Sequence, residues 1–251
     1  MAKKGARVFQ TIAEYYEVLY DSAQRLAREG AVLCDVLERA PGRRVVDLAC
    51  GTGPHARFFA ERGAQVTAYD ASAAMVAHAA ERRPHPGVRY EQRDMREVTG
   101  GPWDMALCVG NSLCLLPTLE DIEKTLAETR KSLAPGGLLL IQVLNYEHPS
   151  MAEPSHRVVH KTLKDMEVTA VKSLVPHLDH TLLALAFYAS SGGTYTSASE
   201  TAVLLHVTMA GLCQIAQRSG FETCEIWGGY NRSPFDRASS SDLLCLFGRP
   251  R

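Results

Sequence analysis

The sequence predicts an α/β fold, a mostly parallel sheet with helices between its strands, carrying an antiparallel β insert. Three observations predict it. Residues 44–70, RVVDLACGTGPHARFFAERGAQVTAYD, read as strand, glycine turn, helix, strand. Strand-like apolar runs then alternate with helical patterns as far as Val143, the rhythm of a parallel sheet. From Ser155 to Val207 that rhythm stops. Four β-type runs follow one another there, separated by turn-rich links such as Ser190-Ser191-Gly192-Gly193.

Each element has its own signal. Residues 8–20 carry aromatic and aliphatic side chains on one side and predict a helix. Ser22–Arg39 predicts a second, with Asp21 or Ser22 as its cap and Pro41-Gly42 as its stop. Arg44–Leu48 is a short β-branched run, as in a strand buried on both faces. Pro54 opens the next helix, where its missing N–H is not needed, and Gly63 ends it. Residues 65–69 are the second strand, closing on Asp70. Residues 73–83 are helical, stopped by Pro84 and Pro86, and Val88–Gln92 is the third strand. Residues 103–109 are the fourth strand, 120–133 an amphipathic helix ended by Ala134-Pro135-Gly136-Gly137, and 138–143 the fifth strand. The insert's strands are read at 156–161, 167–174, 181–189 and 200–207. Residues 209–219 form a last helix, and 221–227 with 243–247 a closing antiparallel pair. The organisation expected is one domain over 1–251, with leading helices in 1–40 and the insert at 155–207.

The chain has 251 residues, 46% of them hydrophobic and 22% charged, with a formal net charge of −1. That composition suits a globular protein with a full core and gives no reason to expect a nucleic-acid or membrane partner. Seven scattered cysteines without a CxxC read as reduced thiols, which places the protein in the cytoplasm. Nine histidines form no ligand-spaced cluster, so no metal is expected.

The glycine turn carries the chemistry. Gly51 and Gly53 let backbone and ligand approach without an intervening Cβ. The helix behind them presents free N–H groups and a partial positive charge. Asp70, at the tip of the second strand, can accept both hydroxyls of a ribose. A nucleoside-type ligand fits this set. By spacing alone, Gly51-x-Gly53-x-x-Ala56 also matches a dinucleotide fingerprint.

The string DLACGTG resembles the first motif of the class I S-adenosylmethionine-dependent methyltransferases. Asp47 before the turn, Ala49 at the usual first glycine, and the string CVGNSLCLLP after the fourth strand resemble the glycine and sarcosine N-methyltransferase branch. LxPGGxLxI around Gly136 is a further match. The resemblance implies a Rossmann-like, mostly parallel seven-stranded sheet with an antiparallel lid insert after strand five, and S-adenosylmethionine as cofactor. It also implies roles. Asp47 with Gly51 and Gly53 organises the turn and the methionine end of the cofactor. Arg25 holds the cofactor carboxylate, and the tyrosines at 15, 16 and 20 belong to a lid, Tyr20 among the cofactor contacts. Asp70 and Ala71 take the ribose, and Met75, Asp94 and Met95 the adenine. Val109 and Gly110 line the cofactor side of the next loop, where Asn111 faces an amine acceptor.

The same branch uses an arginine next to an asparagine-tyrosine pair to bind the glycine carboxylate. Here that string is Val143-Leu144-Asn145-Tyr146, with Leu144 in the arginine's place. An apolar side chain cannot repay the desolvation of a carboxylate. Leu144 and Tyr146 are therefore expected in the pocket of a small acceptor other than glycine, with Arg157 from the insert as a substitute charge. No general base is assigned; His148, His156 and His206 are the candidates. The competing readings are an NAD-dependent oxidoreductase, a nucleic-acid methyltransferase, against which the absence of a Lys/Arg run argues, and a non-catalytic S-adenosylmethionine sensor.

Overall fold

The structure, a computed structural model of the chain, describes Phe9 and residues 12–163 and 165–251. The elements that build the main sheet are β1 (Arg44–Leu48), α3 (Pro54–Ala60), β2 (Gln65–Asp70), α4 (Ala73–Arg82), β3 (Val88–Gln92), β4 (Trp103–Cys108), α5 (Leu119–Ser132) and β5 (Leu133–Leu144). They are preceded by α1 (Tyr16–Leu19) and α2 (Ser22–Arg39), and followed after the insert by α6 (Met209–Arg218), β10 (Glu222–Trp227) and β11 (Asp242–Gly248). The strand order is β10-β11-β5-β4-β1-β2-β3, seven strands as expected. β11 pairs antiparallel with both β10 and β5, and the remaining pairs are parallel.

β1 is the centre, between β4 and β2, and is buried from Val45 onward. Its first residue is clamped to β4. The Arg44 backbone N–H and guanidinium both donate to the Asp104 carboxylate, at 2.9 and 3.0 Å. One face of the sheet packs Val32, Leu33, Val36 and Phe59 from α2 and α3. The other packs Ile122 and Leu126 of α5 and Leu212 and Ile215 of α6. Strand order reverses at β1, where such sheets place ligands, at the carboxyl ends.

The insert is a four-stranded antiparallel meander of β6 (Ser155–Leu163), β7 (Met166–Pro176), β8 (His180–Ser191) and β9 (Thr194–Leu205). Its inner face buries Val168, Ala170, Leu183, Leu185 and Phe187 in the same apolar cluster as α5 and α6. The strands run longer than expected from the sequence. β9 begins at Thr194 rather than 200, because the polar stretch 194–199 has no apolar alternation to read. The two-residue Gly192-Gly193 turn, with φ of 55° and 80°, sets the register, pairing Ser191 with Thr194. β5 likewise begins at Leu133, ahead of the glycines, with a register shift against β4.

The helix expected over 8–20 is corrected. Residues 1–8, 10 and 11 lie outside the described residues, and only Tyr16–Leu19 are helical. Ile12 and Tyr15 close a turn instead, Tyr15 N–H donating to the Ile12 carbonyl at 3.0 Å. Tyr15 then stacks on Phe187 of β8, with centroids 6.0 Å apart, and Tyr16 packs on Tyr20 at 4.8 Å. Contact with the insert and with the site decides this segment, overriding its helical periodicity.

Candidate active site

The turn after β1 holds Ala49, Gly51 and Gly53 at φ of 61°, 57° and 82°. Gly51 lies beside Asp70. The Asp70 carboxylate accepts from Gly51 N at 2.8 Å and from Ser72 N at 2.9 Å. Ser72 in turn caps α4, its hydroxyl accepting from Met75 N. Ala49, Gly51, Asp70, Ala71, Met75, Asp94 and Met95 line one groove, with Tyr16 across from them. Asp94 is also a turn residue: it accepts from Arg96 N at 2.9 Å and is gripped by the Arg96 guanidinium. Gly53 does not line this groove. It is the N-cap of α3, and a Cβ there would lie 2.7 Å from the Tyr90 hydroxyl, so its smallness serves packing.

At the other end of the turn a buried polar cluster stands behind Arg25. Arg25 Nε donates to Glu29 Oε1 at 2.8 Å, and His55 Nε2 meets Glu29 Oε2 at 2.7 Å. Glu29 and His55 are 1% and 3% exposed, which makes both partners obligatory. Burial alone would raise the Glu29 carboxyl, but the His55 hydrogen bond and the Arg25 charge outweigh it and hold it down to about 2. Burial pushes His55 below its ordinary value, so it stands neutral with its proton on Nε2. The Arg25 terminal nitrogens are thereby aimed past Gly110: a Cβ on that glycine, whose φ is 78°, would come within 3.1 Å of Nη2. Tyr20, Val109 and Gly110 line the space beside it.

Asp47 lies beneath this end and is 1% exposed. Its Oδ2 is buried without a hydrogen-bond partner among the described residues. Burial pushes its carboxyl up to about 8, opposed by Arg25 and reinforced by Asp70. A guanidinium with free donors, an orphaned carboxylate oxygen and a second carboxylate beyond a glycine turn fit one zwitterionic nucleoside. Its carboxylate would meet Arg25, its ammonium Asp47 and its ribose Asp70. S-adenosylmethionine has those three groups, so the residues present fit it. Burial favours the protonated form of Asp47, and a cation set against Oδ2 favours the ionised one, so cofactor binding and proton release are coupled. Binding of S-adenosylhomocysteine at pH 7 is expected to release protons, read by calorimetry in buffers of different ionisation enthalpy. Asp47→Asn should release none.

A cavity of about 750 Å³ extends from the Tyr20 and Arg25 side of Gly110 to the insert, so its volume takes in both the cofactor's amino-acid end and the space beyond. Its floor is Gly110, Asn111, Gln142, Leu144, Ser241 and Asp242 at the strand ends. Its ceiling is the insert, with Arg157, Lys172, Leu183, Leu185 and Leu204. Leu144, Arg157 and Asn111 line this cavity, and Tyr146 does not. Both polar atoms of Asn111 are engaged, Nδ2 donating to the Tyr146 hydroxyl at 2.7 Å and Oδ1 accepting from Leu144 N at 2.9 Å. It braces the loop from the cavity wall, and each atom keeps one further hydrogen-bonding position. Tyr146 is buried outside the cavity, stacked on His206 at 4.6 Å. None of the three histidine candidates lines the cavity: His148 bonds Ser150, His156 bonds Ser173 and His206 bonds Thr181.

Sequence reading missed Glu29, His55, Gln142 and Asp242. Gln142 Oε1 accepts from Gly110 N and Nε2 donates to Asp242 Oδ1, both at 2.7 Å, tying the cofactor loop to the acceptor floor. Only Glu29 had a signal, four residues after Arg25 on one helix face. Asp242 comes from a strand a hundred residues away. No group of three or more metal-ligating side chains occurs among the described residues, and no helix among them is long and apolar enough to cross a membrane.

Residues 45–137 match a family model described as a methyltransferase domain. The chain is 33% identical over 137 residues to a glycine/sarcosine N-methyltransferase of Halorhodospira halochloris, covering 53% of this chain and 51% of that protein. It is 34% identical over 157 residues to a trans-aconitate 2-methyltransferase of Deinococcus radiodurans, covering 61% and 55%. The match thus spans little more than half the length of these relatives. Over its full length the fold is similar to the sugar N-methyltransferase KedS8 of Streptoalloteichus, with a TM-score of 0.77 at 20% identity, covering 100% of this chain and 99% of that one.

Proposed function

We propose that this chain is a class I S-adenosylmethionine-dependent methyltransferase, a reading that its fold and its matched domain support, and that it methylates a small-molecule amine larger than glycine. The cavity beside Gly110 carries this reading: it runs on from the Arg25 end of the cofactor site as far as Arg157, Lys172 and Leu204 of the insert, a longer reach than one glycine needs. Leu144 on its floor gives a glycine carboxylate no partner. The relatives' names point to unlike acceptors, an amino acid in one and a tricarboxylate in another, so the acceptor is argued from the cavity. The cavity also favours catalysis over a sensor, which needs no such room.

When bound, the cofactor supplies a methyl group already activated by its sulfonium. The chain's own task is then placement. Arg25 and Asp47 fix the amino-acid end and Asp70 the ribose, which aims the methyl past Gly110 into the cavity. The acceptor nitrogen sits on the cavity side of the methyl, by the floor, in line with the bond to be broken. Positioning of this kind supplies on the order of 7–11 kcal/mol. Asp242, held by Gln142, gives the amine N–H a charged acceptor on the floor. No residue on the cavity wall need act as a strong base for an amine that arrives neutral.

The test is calorimetric titration with S-adenosylmethionine, S-adenosylhomocysteine and NAD, then a screen of amines with glycine included. Binding of both adenosyl ligands and turnover of a larger amine are expected, with no glycine turnover at millimolar concentration. Binding of NAD alone, or glycine turnover with a KM of a millimole per litre or below, would overturn the reading.

A further inference from the structure

Two cations face the acceptor cavity from the insert. Arg157 of β6 and Lys172 of β7 are directly paired across the strands, so their side chains leave the sheet on the same face. Both line the cavity. Like charges directly opposite one another destabilise an antiparallel pair. Neutralisation by a carboxylate is the usual remedy, and here it is not used: neither cation forms an ion pair among the described residues. The carboxylates near them are committed. Asp21 caps Gln24 N and pairs with Lys161 of β6 at 3.6 Å. Glu29 belongs to Arg25 and His55. In the row crossing the insert, Arg157 and Lys172 are followed by Leu185 and then Glu200, which accepts from the Phe9 N–H. Among the described residues, Lys172 is steadied by the Tyr20 ring, with Nζ 5.3 Å from its centroid. The ceiling is thus divided, two cations at the β6–β7 side and Leu183, Leu185 and Leu204 at the β8–β9 side.

We propose that Arg157 and Lys172 form an anion subsite, and that the acceptor carries a doubly charged anionic group, phosphate-type or dicarboxylate, set apart from its amine. A guanidinium beside an ammonium offers a planar fork and a point charge, a set suited to two negative oxygens. The amine lies at the floor by Gly110 and Asp242, while the anion lies against the ceiling. This explains how the floor can dispense with an arginine at Leu144: the negative charge is read from the insert. The inference rests on the methyl-transfer reading for what bears the anion, while the subsite itself is testable without it.

The experiment is calorimetry on the full chain loaded with S-adenosylhomocysteine, using pyrophosphate and malonate as probes. At least one probe is expected to bind the wild type, and to bind Arg157→Leu and Lys172→Met at least tenfold more weakly. Arg157→Lys, which keeps the charge, should retain binding within a fewfold. Binding of pyrophosphate alone identifies a phosphate-type group, and of malonate alone a dicarboxylate; either supports the subsite. Thermal unfolding in anion-free buffer checks the variants, and Arg157→Leu should melt no lower than wild type because it removes a like-charge contact. No probe binding in the wild type, or equal binding in wild type and both neutral variants, overturns the proposal. If S-adenosylhomocysteine itself fails to bind while a probe still binds through the pair, the methyl-transfer reading fails and the subsite stands.

Discussion

Asp70→Ala is expected to raise the dissociation constant for S-adenosylhomocysteine at least a hundredfold. In the free protein the carboxylate accepts from Gly51 N and Ser72 N, which orients its outer lone pairs over the groove. In the proposed complex it takes both ribose hydroxyls. Two hydrogen bonds to a charged group contribute about 1.5–3 kcal/mol each, roughly 3–6 kcal/mol together. Each 1.4 kcal/mol is tenfold, so the loss spans about two to four decades. Asp70→Asn keeps the shape and one acceptor and should fall between. Calorimetry reads the series directly. A loss below tenfold in the alanine variant would move the ribose away from Asp70 and with it the assignment of the whole groove.

The second large effect is on stability. Glu29→Ala should lower the melting temperature by roughly 6–20 °C at pH 7. The substitution leaves the Arg25 guanidinium without its partner and strands His55 Nε2 inside the fold. Breaking a buried ion pair in this way costs about 3–5 kcal/mol, and 1 kcal/mol moves the melting point of a domain this size by about 2–4 °C. The pH profile separates this from simple loss of packing. Glu29 and His55 both bind fewer protons folded than unfolded, because each folded value lies below the ordinary one. Their contribution is complete above about pH 6.5, the ordinary histidine value. It is lost as the pH falls through that value and on through the carboxylate range toward 2. His55 is present in both proteins, so wild type should lose its advantage over Glu29→Ala only as the pH falls below 4.5, the ordinary carboxyl value, toward about 2. A gap that stays constant from about pH 5 to about pH 3 would show that the cluster acts by packing alone. Arg25 is aimed by this cluster, so the variant should also bind S-adenosylhomocysteine more weakly at a temperature where it is folded.

Local signals carried the site's cofactor half. The turn after β1 needs positive φ at Ala49, Gly51 and Gly53, and three small residues in five positions announce it. Asp70 follows at the end of the next strand, where a strand–helix–strand unit must return. Asp21, Ser72 and Thr118 cap their helices by contacts within three residues, so the starts of α2, α4 and α5 were legible to within one residue. The acceptor half was not legible in this way. Asn111 has the chemistry of a ligand-facing amide, and only the nearness of Tyr146 and Leu144 N shows that it also braces its loop. Tyr146 looked available because nothing in the string VLNY shows His206 stacked upon it.

What the sequence determined by itself is the parallel core, the left-handed glycine turn and the carboxylates around it, because these depend on periodicity, φ and caps acting over a few residues. Which distant side chains share a cavity is fixed by the packing of strands and helices far apart in the chain. Asp242 reaches the floor because β11 pairs with β5, and Lys172 stands beside Arg157 because a hairpin register sets them opposite. Glu29 became a buried anion only when α3 brought His55 against α2. Charge and burial at these points are properties of neighbours separated by 15 to 100 residues, and no local pattern encodes them.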